Sequence, residues 1–118
     1  MYVGMASWQY QSTSFAVDSR FRYFRKATDL GPNLSPADCF EFLDENPLSL
    51  NDGYFEYIAA GNGVNDRPAV NHGSSSSFSF CDGHAELHKW HDTFLNVSNP
   101  YQCTDQDPKW LAAHGTSR

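Results

Sequence analysis

The chain has 118 residues with a formal net charge of −6, and 40% of them are hydrophobic and 15% aromatic. That length fits one globular domain, residues 1–118, able to bury well over half of its unfolded surface. The negative charge argues against nucleic-acid binding, and no apolar run approaches the ~20 residues that cross a bilayer.

The charges are unevenly placed along the chain. Asp18–Lys26 is a basic stretch, whereas residues 29–66 contain eight acids and neither Lys nor Arg. Solvated faces that pair across the fold are the simpler explanation of this pattern. The acidic half would also suit calcium, which takes oxygen ligands, so calcium is the one cofactor that the composition suggests.

The first thirty residues lack helical periodicity and predict irregular or short-strand structure. Beyond them, Cys39–Leu43 predicts a short strand that ends at Asp44 and Glu45. The next stretch contains the turn residues Asn51, Asp52 and Gly53, and a second short strand is expected in the sequence YFEYIAAG that follows them.

Residues 71–90, NHGSSSSFSFCDGHAELHKW, predict a β-hairpin spanning 77–90. Phe78 and Phe80 alternate with polar residues, and Asp82-Gly83 is a strong signal for a two-residue type I′ turn. On the return strand, alternation predicts that His84, Glu86, His88 and Trp90 share one face.

The tail DQDPKWLAAHGTSR predicts a short C-terminal helix. An Asp lies in the expected N-cap region, Pro108 suits the first turn, Trp110 and Leu111 can dock, and Gly115 can end the helix. Together these elements predict an α+β, β-rich fold with an antiparallel sheet.

Several residues are candidates for a polar or metal site. If the strand that ends at Asp44 and Glu45 pairs with the one before Asp82, these carboxylates would gather at one edge of the sheet with His72 and His84. His72 would then anchor the serine loop, Ser74–Ser77, by bonding to a carboxylate. The simpler alternative is hydrogen bonding that fixes loops, with Asp82 capping its own turn.

Nucleophilic catalysis has weak support in this sequence. Ser74–Ser77 lack a nucleophile-elbow pattern, so no catalytic residue is assigned. Cys39, Cys81 and Cys103 have no CxxC spacing; one disulfide with one thiol would suit an exported protein, and three buried thiols a cytosolic one.

An ordered set of motifs resembles a known family. His72, nine intervening residues and Asp82-Gly83 are similar to the signature of the prepilin-type processing-associated domain, named for that spacing. Its longer form resembles NHGSSSSFSFCDGHAELHKW, and LSPADCFEFLDENPLSLNDGYF, YVGMASW and DPKWLAAH resemble further segments. The resemblance covers nearly the whole chain.

The resemblance implies the C-terminal globular part of a pilin-like or pseudopilin-like protein of bacteria, related to type II secretion. Such proteins carry an N-terminal cleavage-and-methylation motif and an apolar helix, which this sequence lacks. The implied role is structural, non-enzymatic and extracytoplasmic, in the periplasm or at the cell surface. The implied partners are other pilin-like subunits or secretion machinery.

Two alternatives from other classes remain open. The first is a metal-dependent hydrolase that uses His72, Asp82 and His84, with Asp44 or Glu45 as base. The second is a secreted module that binds glycans or proteins through exposed aromatic residues, for which the candidates are Trp8, Tyr10, Trp90 and Tyr101.

Overall fold

The structure is a computed structural model that describes residues 8–11, 14–17, 27–32, 34–51, 55, 57, 64, 66–91 and 106–115. A hairpin of β1 and β2 comes first, followed by a 3₁₀ turn at Ala27–Asp29, a sheet of β3, β4 and β5, and helix α1. The bounds are Trp8–Gln11 for β1, Ser14–Val17 for β2, Phe40–Leu43 for β3, Ser75–Phe80 for β4, Ala85–Lys89 for β5 and Gln106–Gly115 for α1.

The three-stranded sheet is antiparallel, with β4 in the middle. Phe40 of β3 lies opposite Phe80 of β4, and a bulge next to Glu41 shifts the register so that Leu43 lies opposite Phe78. The bulge keeps both Phe40 and Leu43 buried although they are three residues apart. The α+β, β-rich fold with an antiparallel sheet is therefore confirmed.

The predicted division of β5 into two faces is visible at its C-terminal end, since His84 and Glu86 are exposed and only His88 and Trp90 turn inward. Trp90, just beyond β5, is buried in the core, whereas Leu87 is 63% exposed. Strand β4 begins at Ser75, earlier than the alternation suggests, because Ser75 and Ser76 are buried inside the sheet despite their polar side chains. Tertiary contacts here override the loop-like composition of the serine run.

The turn between β4 and β5 differs from the predicted two-residue type I′ turn. The Gly83 N–H donates to the Phe80 carbonyl over 2.9 Å, and the Phe80 N–H donates to the His84 carbonyl over 2.9 Å. Cys81, Asp82 and Gly83 therefore form a three-residue loop, in which Gly83 alone has a positive φ, 92°. This is a type I turn followed by a glycine bulge, the next most common way to close a hairpin.

Helix α1 covers the inner face of the sheet. Leu111 is fully buried there, and the Trp110 ring lies edge-on to Phe78 with centroids 5.0 Å apart. Phe40 also contacts Phe78 edge-on, at 5.3 Å. The buried hydrophobic residues form one main cluster, Phe40, Leu43, Phe55, Tyr57, Val64, Phe78, Phe80, Trp90 and Leu111.

The second strand expected after the Asn51 turn falls mostly outside the described residues. Tyr57 makes an isolated antiparallel bridge to Val64, and Asn51 is exposed at a bend. Asp52 and Gly53 also lie outside the described residues. Within the part of the chain that the structure describes, no helix has the length and apolar character needed to cross a membrane.

Candidate functional site

The segment that resembles the family signature forms a turn, strand β4, a second turn and strand β5. The first turn follows His72, and both Gly73 and Ser74 have a φ of 65° there. The His72 N–H donates to the Ser75 carbonyl over 3.4 Å, and the Ser74 carbonyl accepts the Trp90 N–H at 2.8 Å. Two successive residues with positive φ redirect the chain here as it enters β4.

Asp82 caps the second turn. Its Oδ1 accepts the His84 backbone N–H at 3.1 Å and lies 2.5 Å from His84 Nδ1. The His84 backbone N–H, followed by the His84 side chain, lowers the pKa of Asp82. The His84 ring also stacks on Phe80, with centroids 4.3 Å apart and an angle of 7° between the planes. This pair has the loop-fixing arrangement of a carboxylate that closes its own turn.

The expected gathering of carboxylates and imidazoles is wrong. Because β3 and β4 are antiparallel, the residues that follow them lie at opposite ends of the sheet. Asp44 accepts a hydrogen bond from Ser77, in β4, whereas Asp82 lies beyond the far end of that strand. Glu45 instead accepts one from Ser49 Oγ at 3.0 Å.

The predicted metal site depended on this gathering of carboxylates and imidazoles, and it is wrong for the same reason. Among the described residues, no group of three or more His, Cys, Asp or Glu side chains could hold a metal ion. This covers every candidate ligand named from the sequence, namely Asp44, Glu45, His72, Asp82 and His84. The described residues therefore do not bring together the ligand set that was expected for calcium or for a metal-dependent hydrolase.

His72 does not anchor the serine run. His72 is an exposed residue of the turn before β4. Ser76 has the anchoring role instead. Its hydroxyl donates to the Ala69 carbonyl and accepts the Trp90 indole N–H at 2.7 Å. A polar residue inside a serine-rich run gives no sequence signal that distinguishes it from its neighbours.

Asp107 links the end of the sheet to the helix. It is buried in the first turn of α1, and its two carboxylate oxygens accept the His91 backbone N–H at 3.0 and 3.3 Å. A carboxylate is favoured at this end of a helix by the helix dipole. The Asp-Pro pair at the helix start is the sequence signal for this contact.

Between β5 and α1 lies a stack of three rings that sequence reasoning missed. His88 stacks on Trp110 with ring centroids 3.7 Å apart, and His114 also stacks on Trp110, with ring centroids 4.1 Å apart. His114 Nδ1 donates to the Trp110 carbonyl over 2.8 Å, which fixes that imidazole. Burial first, and then the neighbouring His114 and His91, lower the pKa of His88, while Glu86 opposes the shift. Only the i, i+4 spacing on the helix hinted at this contact.

Of the aromatic residues expected to bind glycans, Trp90 is 4% exposed and belongs to the core. The side chains of Trp8, Tyr10 and Tyr101 lie outside the described part of the structure. The comparisons with family models, curated proteins and solved structures found no match for this chain.

Proposed function

We propose that this chain is the globular part of a pilin-like or pseudopilin-like subunit with a structural, non-enzymatic role outside the cytoplasm. One observation carries the proposal: the signature residues act on the backbone and the core. Gly73 and Gly83 adopt positive φ angles at the two ends of β4, Asp82 caps the second turn, and Trp90 is buried. A motif of this kind specifies a fold rather than a reaction.

The upstream motif supports the same interpretation. Ser35 Oγ donates to Asp38 Oδ2 over 2.6 Å, and the Ser35 carbonyl accepts the Cys39 N–H at 3.1 Å, so the Ser-Pro element forms the turn that leads into β3. Beyond β3, Asn46 Oδ1 accepts the Leu48 N–H at 3.0 Å and closes the next turn. Each of these motif elements builds a connection next to a core strand.

The resemblance further assigns such a domain to an assembly anchored by an apolar N-terminal helix. Its partners in this proposal are other pilin-like subunits or secretion machinery. No basic surface for nucleic acid is expected on a chain with a net charge of −6.

The test is to identify the native polypeptide in the cell. Antibodies against this chain should detect it in the envelope or medium, and mass spectrometry of the mature N-terminus should find a methylated residue followed by about 20 apolar residues. A cytoplasmic enzyme followed in the same fractions is the control. Recovery in the cytoplasm, with no apolar segment at the N-terminus, would contradict the proposal.

The proposal that the chain has no catalytic activity is tested by a separate measurement. We expect no turnover of generic ester or phosphate substrates above the rate in buffer, because no described arrangement supplies nucleophile, base and stabiliser together. The matched control is the His72→Ala variant. Robust hydrolysis that this substitution abolishes would show that the chain is an enzyme.

A further inference from the structure

Two cysteines lie side by side where β3 and β4 meet. Cys39 immediately precedes β3, and Cys81 immediately follows β4. Extending the Phe40–Phe80 pairing by one residue places the two cysteines opposite each other. The Cys81 N–H donates to the Cys39 carbonyl over 2.9 Å, which confirms that the pairing continues.

This position suits a covalent bridge. Directly opposed residues of an antiparallel pair point to the same side, with Cα atoms roughly 5.5 Å apart when they are hydrogen-bonded. Disulfides span Cα separations of about 4.4–6.8 Å. In this structure both residues are thiols, the Cys39 thiol donates to the Phe40 carbonyl over 3.9 Å, and the two residues pack together beside Leu34 and Leu30.

We propose that Cys39 and Cys81 are a redox modification site that closes to an intramolecular disulfide on reaction with a low-molecular-weight disulfide such as oxidised glutathione. The Cys81 thiolate attacks one sulfur of that reagent, forming a mixed disulfide and releasing one thiol. The Cys39 thiolate then attacks the Cys81 sulfur, closes the bridge and releases the second thiol. The two protein thiols are oxidised, the reagent is reduced to two thiols, and both protons go to the leaving thiolates.

The order of attack follows from exposure. Cys39 is fully buried, whereas Cys81 is half-buried in the turn and accessible to a small reagent. Burial first, and then the adjacent Cys81, raise the pKa of Cys39 to about 12. Closure by Cys39 is therefore the slow step, and its rate increases with pH because the thiolate is the nucleophile.

The bridge would stabilise the sheet at its most irregular point. It would close a loop of about 40 residues, which restricts the unfolded chain. It would also fix the bulged end of β3 against the turn between β4 and β5.

The experiment uses the wild-type chain and a Cys103→Ser variant, each equilibrated with oxidised glutathione at about pH 8, then unfolded in urea and treated with iodoacetamide so that every remaining thiol can react. We expect the Cys103→Ser protein to lose about 2 Da, to take up no iodoacetamide and to gain on the order of 10 °C in melting temperature. Peptide mapping of both proteins should yield a linked pair that contains Cys39 and Cys81. Cys81→Ala in the Cys103→Ser background is the matched control. It should show neither the loss of about 2 Da nor the gain in melting temperature.

Three outcomes would overturn the proposal. They are a persistent glutathione adduct on Cys81, alkylation of both thiols after equilibration, or a bridge in the wild-type chain that joins Cys103 to either residue. Because the mapping reads the linkage in the wild-type chain directly, the result does not depend on how well any variant folds. None of these outcomes bears on the pilin-like assignment.

Discussion

Three residues at the two ends of β4 adopt backbone angles that most side chains avoid. Gly73 and Ser74 have a φ of 65°, and Gly83 has a φ of 92°. A Cβ added at Gly83 would meet no atom within 4 Å, so the cost of a side chain there comes from the dihedral angle alone. The Asp-Gly part of the signature is thus explained by backbone conformation rather than by space.

The residue-scale prediction concerns Gly83. Gly83→Val should lower the free energy of unfolding by about 1–3 kcal/mol, because a β-branched residue at positive φ is strained. Gly83→Asn is the matched control and should lose less, since Asn tolerates this region. Urea unfolding measures both, and equal stability of the valine variant and the wild type would rule out the turn described here.

At the scale of the elements, Ser76 connects the middle strand to the segment that precedes it, at Ala69, and to Trp90, just beyond β5. Its hydroxyl donates to the Ala69 carbonyl and accepts the Trp90 indole N–H, and Ser76 itself is fully buried. A buried polar residue that both donates and accepts is costly to replace, because its partners lose their bonds without access to water.

We expect Ser76→Ala to lower the free energy of unfolding by about 1–3 kcal/mol. Ser79→Ala, on the outer face of the same strand, should change it by less than about 0.5 kcal/mol. A double-mutant cycle with Trp90→Phe should show coupling between Ser76 and Trp90. Additive losses in urea unfolding would show that the indole bond contributes nothing.

These elements also show which parts of the fold could be predicted from the amino-acid sequence. Strand β3, the Phe-containing half of β4, β5 and helix α1 follow from alternation and turn signals. The carboxylate cluster was wrong because it placed the ends of β3 and β4 at one edge, whereas their pairing is antiparallel. The role of Ser76 and the packing of His88 against Trp110 depend on contacts between distant segments of the chain, which no local pattern encodes.

At the scale of the whole molecule, we expect the ring stack to make stability depend on pH. The Nε2 atom of His88 is buried and, within the described residues, has no hydrogen-bond partner. The titratable groups near this ring are Glu86 on its own strand, His114 on α1 and His91, and burial is the largest cause of its lowered pKa. The unfolded chain therefore binds a proton at this imidazole at a higher pH than the folded chain does.

The sign of the effect follows from linkage. A folded-state pKa below the unfolded value near 6.5 gives stability that is present above about pH 6.5 and is lost as the pH falls toward the folded value. Asp82, whose pKa is also lowered, contributes in a separate window, as the pH falls through and below its ordinary value of 3.8. Between about pH 7.5 and 5, the His88 contribution is thus distinct from that of Asp82.

We expect the free energy of unfolding, measured in urea across that interval, to fall with decreasing pH more steeply in the wild type than in His88→Phe. Phenylalanine keeps an aromatic ring against Trp110 but cannot bind a proton. His72→Gln, which removes an exposed imidazole outside the stack, is the matched control for the loss of one histidine. If His88→Phe and wild type had the same slope, protonation of His88 would not be linked to unfolding, and the stack would be a packing contact alone.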